Sequence, residues 1–465
     1  MTLYSNQDAF VNVKPYPFWL DTLAEEAPAP ELRDSIFCDL AIVGGGYTGL
    51  WTALLARRRW PEKKIAVIEA KRCGSEASGR NGGFCSPSIS HGVSIAASRW
   101  PQEAEKIIAM GINNLDELAA DLDDWGMQIE FERTGQLNLA RHPWQIEGLR
   151  SMQEEYQHFG LACEFLEGDK LAEKVNTPFY SAGLFEPNYA LVNPAKMVSE
   201  LRRVCLSQDI ALFENSPVTT LTPHKRHVLL QTQSGEAIAK QVVLATNISK
   251  PLLRHLESTV IPVYDYAIVS NPLSQQQLEA IGWIGRHGIS DSGNKFHYFR
   301  KTADNRILWG GYDAIYHFGS RRDESLTQRP ETFNRLAEQF CEVFPAIKDI
   351  GFSHAWGGII DASARTTFFT GCEAQGKIAY ALGFTGLGVS ACRFAALNML
   401  DLLAGEKTAR TELRMTSRAP FRFPPEPLRF AGVQMAVRSL AREDRDGHRN
   451  FLLKTFDALG IGFDS

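Results

Sequence analysis

Asp39-Leu40-Ala41-Ile42-Val43-Gly44-Gly45-Gly46-Tyr47-Thr48-Gly49 is the stretch that decides the fold. Leu40 to Val43 is a short continuous apolar run, the pattern of a strand buried on both faces. Gly44, Gly46 and Gly49 stand in GxGxxG spacing, and Leu50 to Arg59 behind them reads as a helix. A second apolar strand, Ile65 to Ile68, ends at Glu69 and completes a βαβ unit. In such a unit the first glycine permits the tight turn, the second lets backbone approach a pyrophosphate, and the third allows close helix–strand packing. The phosphate charge sits against the free amides and positive end of the helix. Glu69, twenty residues past Gly49, stands where a carboxylate accepts hydrogen bonds from a ribose diol. The unit predicts a dinucleotide site and does not separate FAD from NAD.

Two further segments favour FAD. Gly74-Ser75-Glu76-Ala77-Ser78-Gly79-Arg80-Asn81-Gly82-Gly83 is a long small-residue loop of the kind that lets a flat ring lie against backbone. Near the other end, Gly383-Phe384-Thr385-Gly386-Leu387-Gly388 precedes an almost wholly apolar helix, Val389 to Leu403. A glycine-lined helix N-terminus aimed at the pyrimidine edge of a flavin stabilises the negative charge that forms on reduction. The plain alternatives are a flexible loop and a core helix.

At 465 residues the chain is too long for one core, and 44% apolar with 22% charged residues is ordinary for a globular protein. A net charge of −5 gives no pull toward nucleic acid or anionic membrane. Met1 to Phe10 lacks the pattern of a signal peptide, and no apolar run approaches the roughly 18 residues of a membrane span. The eight cysteines are scattered without CxxC spacing, so reduced buried thiols, a cytoplasmic setting and no metal site are expected.

Residues 100–125 carry helical periodicity. Short strand patterns follow to Tyr189, then a helix from Val192 to Leu206, strands at 210–213, 217–221, 227–232 and 242–246, and a sheet-like stretch from Val260 to Phe352 with one helix near 330–343. The chain thus alternates between two domains. The Arg- and Pro-rich tail from about 411 reads as an accessory cap, with Arg438, Arg442, Arg445 and Arg449 on a solvated face.

The order GGGYTG (44–49), EAKRCGSEASGRNGG (69–83), LATN (244–247), AWGGIID (355–361) and GFTGLGVS (383–390) resembles the D-amino-acid oxidase-like family of FAD enzymes. Within it, the N-terminal arm, GGGYTGLWTA and ASGRNGG resemble the γ-glutamylputrescine oxidase branch and the aminophosphonate oxidoreductases beside it. The resemblance covers roughly 36–410. It implies an α/β fold in which an FAD-binding Rossmann-type domain (36–126, 191–255, 353–410) is interleaved with a mixed-sheet α+β substrate domain (127–190, 256–352). An arm (1–35) and a C-terminal helical extension (411–465) flank them. It also implies FAD contacts from Gly44, Gly46, Thr48, Gly49, Glu69, Ala70 and Arg72. Ala77, Ser78, Gly79, Arg80, Asn81, Gly82 and Gly83 would line the flavin, with Val218, Ala245 and Thr246 by the adenine half. Gly358, Thr385, Gly386, Leu387, Gly388 and Val389 would meet the ring. Asn247 stands where relatives have Gly or Asn, both tolerant of left-handed backbone.

Two departures bear on chemistry. Glycine oxidase-like members carry an arginine that clamps the substrate carboxylate where this chain has Ile360, and an apolar side chain cannot make that bidentate contact. The flavin-attaching cysteine of sarcosine oxidase-like members is missing, so FAD is expected to bind non-covalently.

The expected reaction is oxidation of a small amine (a γ-glutamylated amine, polyamine, aminophosphonate or N-alkyl amino acid) by hydride transfer to flavin N5. The imine product then hydrolyses, with oxygen or an electron carrier as final acceptor. On the strand His297-Tyr298-Phe299-Arg300 only alternate residues share a face. Tyr298 with Arg300 is the pair expected to hold a remote acidic group of the substrate, the alternative being an exposed strand face with Arg300 in a surface ion pair. Tyr266 and Trp356 are further site residues or plain core aromatics. Competing readings are a 2-hydroxy-acid or polyol dehydrogenase and a partner-dependent, non-catalytic flavoprotein subunit.

Overall fold

In the computed structural model, which describes residues 9–458 and 460–462, the strand Ser35–Val43 lies at the centre of an eight-stranded sheet. Residues 1–8 of the expected arm, and 459 and 463–465 of the extension, lie outside the described residues. Ser35–Val43 runs parallel to Ile65–Ile68 on one side and to Glu236–Leu244 on the other, with Val43 opposite both Ile68 and Leu244. Leu40 and Ile42 enter the core beneath the helices, while Ala41 and Val43 enter a second core on the opposite face. This two-sided burial is why the run carries no polar alternation. The helices Tyr47–Arg59 and Gly388–Ala404 pack against each other over the first of these cores. Each fully buried aliphatic side chain there contributes about 1.5–3 kcal/mol.

The second sheet also has eight strands, in the order 352–363, 260–270, 307–311, 297–301, 288–291, 136–140, 182–186, 164–167. All its pairings are antiparallel except that of Gly288–Asp291 with Gln136–Ala140. The helix Pro330–Val343 covers one face, over a core built on Trp309, Phe299, Phe340 and Phe344. The other face looks toward the first sheet.

One expectation is corrected here. The Trp356 strand, Phe352–Ser363, was placed in the first domain from 353 onward, but it pairs with Val260–Ser270 from Ser363 opposite Val260 to His354 opposite Val269. This unbroken ladder puts it at the edge of the second sheet. The chain returns to the first sheet only at Phe369–Glu373.

The extension is docked at both ends. Glu426 accepts hydrogen bonds from Tyr316 Oη and from the Gly319 amide (3.1 Å). Asp444, near the end of the helix Leu428–Asp446, accepts from the backbone amides of Asn294 (2.6 Å) and Lys295 (2.9 Å) and from Asn294 Nδ2 (2.9 Å). Among the described residues no helix is long and apolar enough to cross a membrane.

Replacing Asp444 with Ala strands two backbone amides, a loss of about 1–3 kcal/mol. Amide hydrogen exchange at 293–296 and along 428–446 is expected to quicken while the central strands stay protected. Unchanged exchange at both segments would contradict this docking.

Candidate active site

The glycine turn is a close approach. A Cβ on Gly49 would sit 1.9 Å from the Gly44 carbonyl oxygen, so no side chain is tolerated there. Gly46 precedes the helix Tyr47–Arg59 with no side-chain cap of its own, and Ser78 Oγ accepts from the Tyr47 amide at 3.0 Å. Glu69 sits at the tip of the neighbouring strand and accepts from the Gly45 amide (2.6 Å) and the Lys71 amide (2.8 Å). Burial raises its carboxyl above the usual range, against the pull of those two amides.

The loop 77–83 is pinned from both domains. Asn81 donates to the Ala77 and Ser78 carbonyls and accepts from the Gly83 amide at 2.8 Å. Arg80 donates to the Ser75 carbonyl (2.7 Å), reaches the Gly357 carbonyl (3.3 Å) and pairs with Glu324 (2.8 Å). Trp356 Nε1 donates to the Arg80 carbonyl at 2.9 Å. From behind, Arg300 Nη1 donates to the carbonyls of Val192 (2.6 Å), Gly83 (3.3 Å) and Gly82 (3.5 Å).

A third element closes the arrangement. The turn before Gly388–Ala404 has left-handed backbone at Gly383, Thr385 and Gly386, and its helix N-terminus has no side-chain cap. Asp361 accepts from the Gly383 amide at 2.6 Å. Burial pushes the Asp361 carboxyl up to about 7.

These elements bound one chamber of about 1000 Å³. From the first domain it is lined by Gly46, Thr48, Ala77, Ser78, Arg80, Asn81, Gly82, Ala245 and Thr385 to Val389. The second sheet adds Tyr266, Tyr298, Trp356, Gly358 and Ile360, and the extension adds Val433 and Val437. Tyr266 and Trp356 are almost wholly buried, and their polar ends are engaged by the Leu326 and Arg80 carbonyls.

Not every expected site residue lines the chamber. Gly44, Gly49 and Glu69 form the turn beyond the chamber, Gly79 and Gly83 are buried behind the loop, and Ala70 is exposed. Val218 packs on the far core, and Thr246 stands between the chamber residues Ala245 and Asn247, the latter with φ +43°. Arg72 turns instead to the Glu26 carbonyl (3.0 Å) and the Glu214 carboxylate (3.3 Å), tying the arm to the first domain. Arg300 is the clearest correction. Expected beside Tyr298 as a substrate contact, it is fully buried behind Gly82 and Gly83, with Nη1 donating to backbone carbonyls and Nε and Nη2 without a hydrogen-bond partner among the described residues. Burial pushes it down to about 10. Strand alternation put it on the correct face but could not tell its depth.

The chamber's charges went unnoticed in the sequence. Its cations, Arg80 and Lys295, are paired with Glu324 and Asp313, and burial holds His91 neutral, its ring pushed down to about 4. Three lining carboxylates, Asp265, Glu186 and Asp361, form no ion pair among the described residues. Asp265 accepts from Tyr298 Oη at 2.7 Å. The phenol reaches it across Gly310, where a Cβ would lie 2.6 Å from the ring. Removal from bulk water pushes Asp265 up to about 6 and Glu186 up to about 7. A lone acid inside an apolar strand pattern, as in Val263-Tyr264-Asp265-Tyr266-Ala267, was the available signal.

Residues 39–402 match the family model described as DAO, FAD dependent oxidoreductase. The chain belongs to this family. The FAD-dependent oxidoreductase is 25% identical over 397 residues to probable oxidoreductase OrdL of Haemophilus influenzae, covering 84% of this chain and 88% of that protein. It is 26% identical over 388 residues to gamma-glutamylputrescine oxidoreductase of Escherichia coli, covering 82% and 87%. Its fold is similar to that of glycine oxidase from Geobacillus kaustophilus, with TM-score 0.70 at 17% identity over 83% of this chain and 99% of that one. The residues present fit FAD. The glycine turn and the two helix N-termini, whose N-cap residues make no side-chain cap, present backbone amides suited to phosphate and ring, and the chamber between Gly82, Gly358 and Gly386 is bounded by small residues.

Replacing Arg300 with Met removes the donors behind the loop. FAD retention through gel filtration is expected to weaken about tenfold or more, with the substrate KM of the loaded enzyme unchanged. Normal FAD retention with a raised KM would restore Arg300 to the substrate.

Proposed function

We propose that this FAD-dependent oxidoreductase oxidises a C–N bond of a small cationic amine. The observation that carries the reading is the set of three chamber carboxylates without a cationic partner among the described residues, which a protonated amine would complete. Bound FAD supplies the hydride acceptor, flavin N5, and the chain's own residues bind, orient and exclude water.

Asp265 is the residue assigned to the ammonium. Tyr298 Oη occupies one carboxylate oxygen and fixes the plane, leaving acceptor capacity for the substrate. The amine must be neutral before its C–H bond can yield a hydride, and the ionised Asp265 carboxylate beside it is the group that takes the proton. Tyr298 packs against Gly82 of the flavin loop, so this anchor borders the reacting face. Trp356, Val433 and Val437 line the chamber with apolar surface.

Carboxylate substrates fit less well. Ile360 offers no guanidinium, and Arg80 and Lys295 are already paired. This weighs against simple α-amino acids and against 2-hydroxy acids together. Non-covalent FAD is supported by Cys392, the cysteine lining the chamber: its Sγ receives the Thr48 hydroxyl at 3.0 Å, and burial pushes its thiol up to about 12.

Asp265 must be ionised to bind the ammonium, so kcat/KM is expected to rise with pH through about 6. The Tyr298 hydrogen bond favours the ionised carboxylate, so Tyr298→Phe shifts that rise to higher pH. Asp265→Asn removes it and lowers kcat/KM by about 10- to 100-fold. A wild-type pH profile and rate in Asp265→Asn would overturn the assignment.

A further inference from the structure

The chamber runs well past the flavin. Ordered across the second sheet, the residues of one row point into it: Tyr298 opposite Ser290, Ser290 opposite Asn138, and, one pair along, Gln136 opposite Glu186. The strand of Glu186 lies three strands from that of Tyr298 and five from that of Asp265. At about 4.8 Å per strand these steps amount to about 14 Å and about 24 Å, so no small monoamine touches both carboxylates at once.

Glu186 is held ready at that far end. It is 9% exposed, accepts from Asn138 Nδ2 at 2.7 Å and from Tyr156 Oη, and faces no cation among the described ion pairs. A carboxylate has about four acceptor positions, and these two donors leave room for more. Tyr156 belongs to the helix Pro143–His158, which roofs this end with Leu149 and Met152. Between the two acids the floor offers Ser290, Asn138 and Gln136, joined by Gln136 Nε2 to Ser290 Oγ at 2.9 Å, under the apolar roof. Acids at both ends, amide and hydroxyl groups between them and an apolar cover match a methylene chain that carries several amino groups.

Resting on the amine reading above, we propose that Glu186 is the distal cation subsite of the chamber and that the substrate is a linear polyamine, bound by one ammonium at Asp265 and a second at Glu186. An amine capped at its far end by an amino-acid carboxylate fits less well, because the chamber's Arg80 and Lys295 are already engaged. The raised carboxyl of Glu186 agrees with this: an arriving ammonium supplies the charge that its surroundings lack, so binding below pH 7 is accompanied by proton release.

The test is a series of α,ω-diamines of increasing length against n-alkylamines of the same lengths, on the FAD-loaded enzyme and its Glu186→Gln variant. KM for the diamines is expected to fall by about 10- to 100-fold once the chain spans the sheet, with no such fall for the monoamines. Glu186→Gln keeps acceptor and donor atoms for Asn138 and Tyr156. It should abolish the diamine advantage, raising the diamine KM to that of the monoamine of the same length while the flavin spectrum stays unchanged. Equal KM for diamine and monoamine in the wild type, or an equal loss for both in the variant, overturns the subsite. If no amine is oxidised, the reaction reading fails by itself. Calorimetric binding of the same series then still decides the subsite, by whether the diamine advantage and its proton release vanish in Glu186→Gln.

Discussion

The pinning of the loop 77–83 is the constraint on which the rest depends. A ring-binding loop of small residues has little packing of its own, yet a reacting centre must be held to a fraction of an ångström. Here Asn81 closes the loop on itself, Arg80 and Trp356 stitch it to the edge strand of the second sheet, and Arg300 holds it from beneath. These are charged or polar donors on backbone carbonyls in a dry setting, where a lost bond is expensive. The same bonds join the two sheets, so loop geometry and domain geometry are one thing in this molecule.

From that junction the chamber follows. The first domain supplies glycine-rich backbone and helix ends, which suit phosphate and flavin. The second sheet supplies side chains, and those facing the chamber include acids with no ion-pair partner among the described residues. The extension beyond residue 402, where the family match ends, supplies Val433 and Val437 and is clasped by Asp444 to the loop leading into the Tyr298 strand. Generic cofactor machinery and particular substrate surface thus come from different parts of the chain.

That division explains what could be read in the sequence. The turn at 44–49, the acid at 69 and the glycines at 383–388 are local patterns whose geometry is set within a few residues, and each stands at the strand end or helix N-terminus that its spacing implied. Asn247 carries the left-handed backbone for which Asn is suited. What depends on pairing between segments far apart in the chain was not legible. The strand Phe352–Ser363 joins the other sheet through its ladder with 260–270. Arg300 lies a layer deeper than its strand face suggests, and Asp265 and Glu186 gain their meaning only when six strands are set side by side. A lone acid in an apolar strand was visible, but its partner, or lack of one, belongs to the tertiary structure.

The most direct measurement is anaerobic mixing of the purified, FAD-loaded protein with primary amines, D-amino acids and 2-hydroxy acids in turn, following the visible flavin absorbance. Bleaching by amines that lack a carboxylate, with slow or no bleaching by the two acid classes, is the predicted result. Rapid bleaching by a 2-hydroxy acid or by a simple amino acid, with amines inert, would contradict the account at its centre.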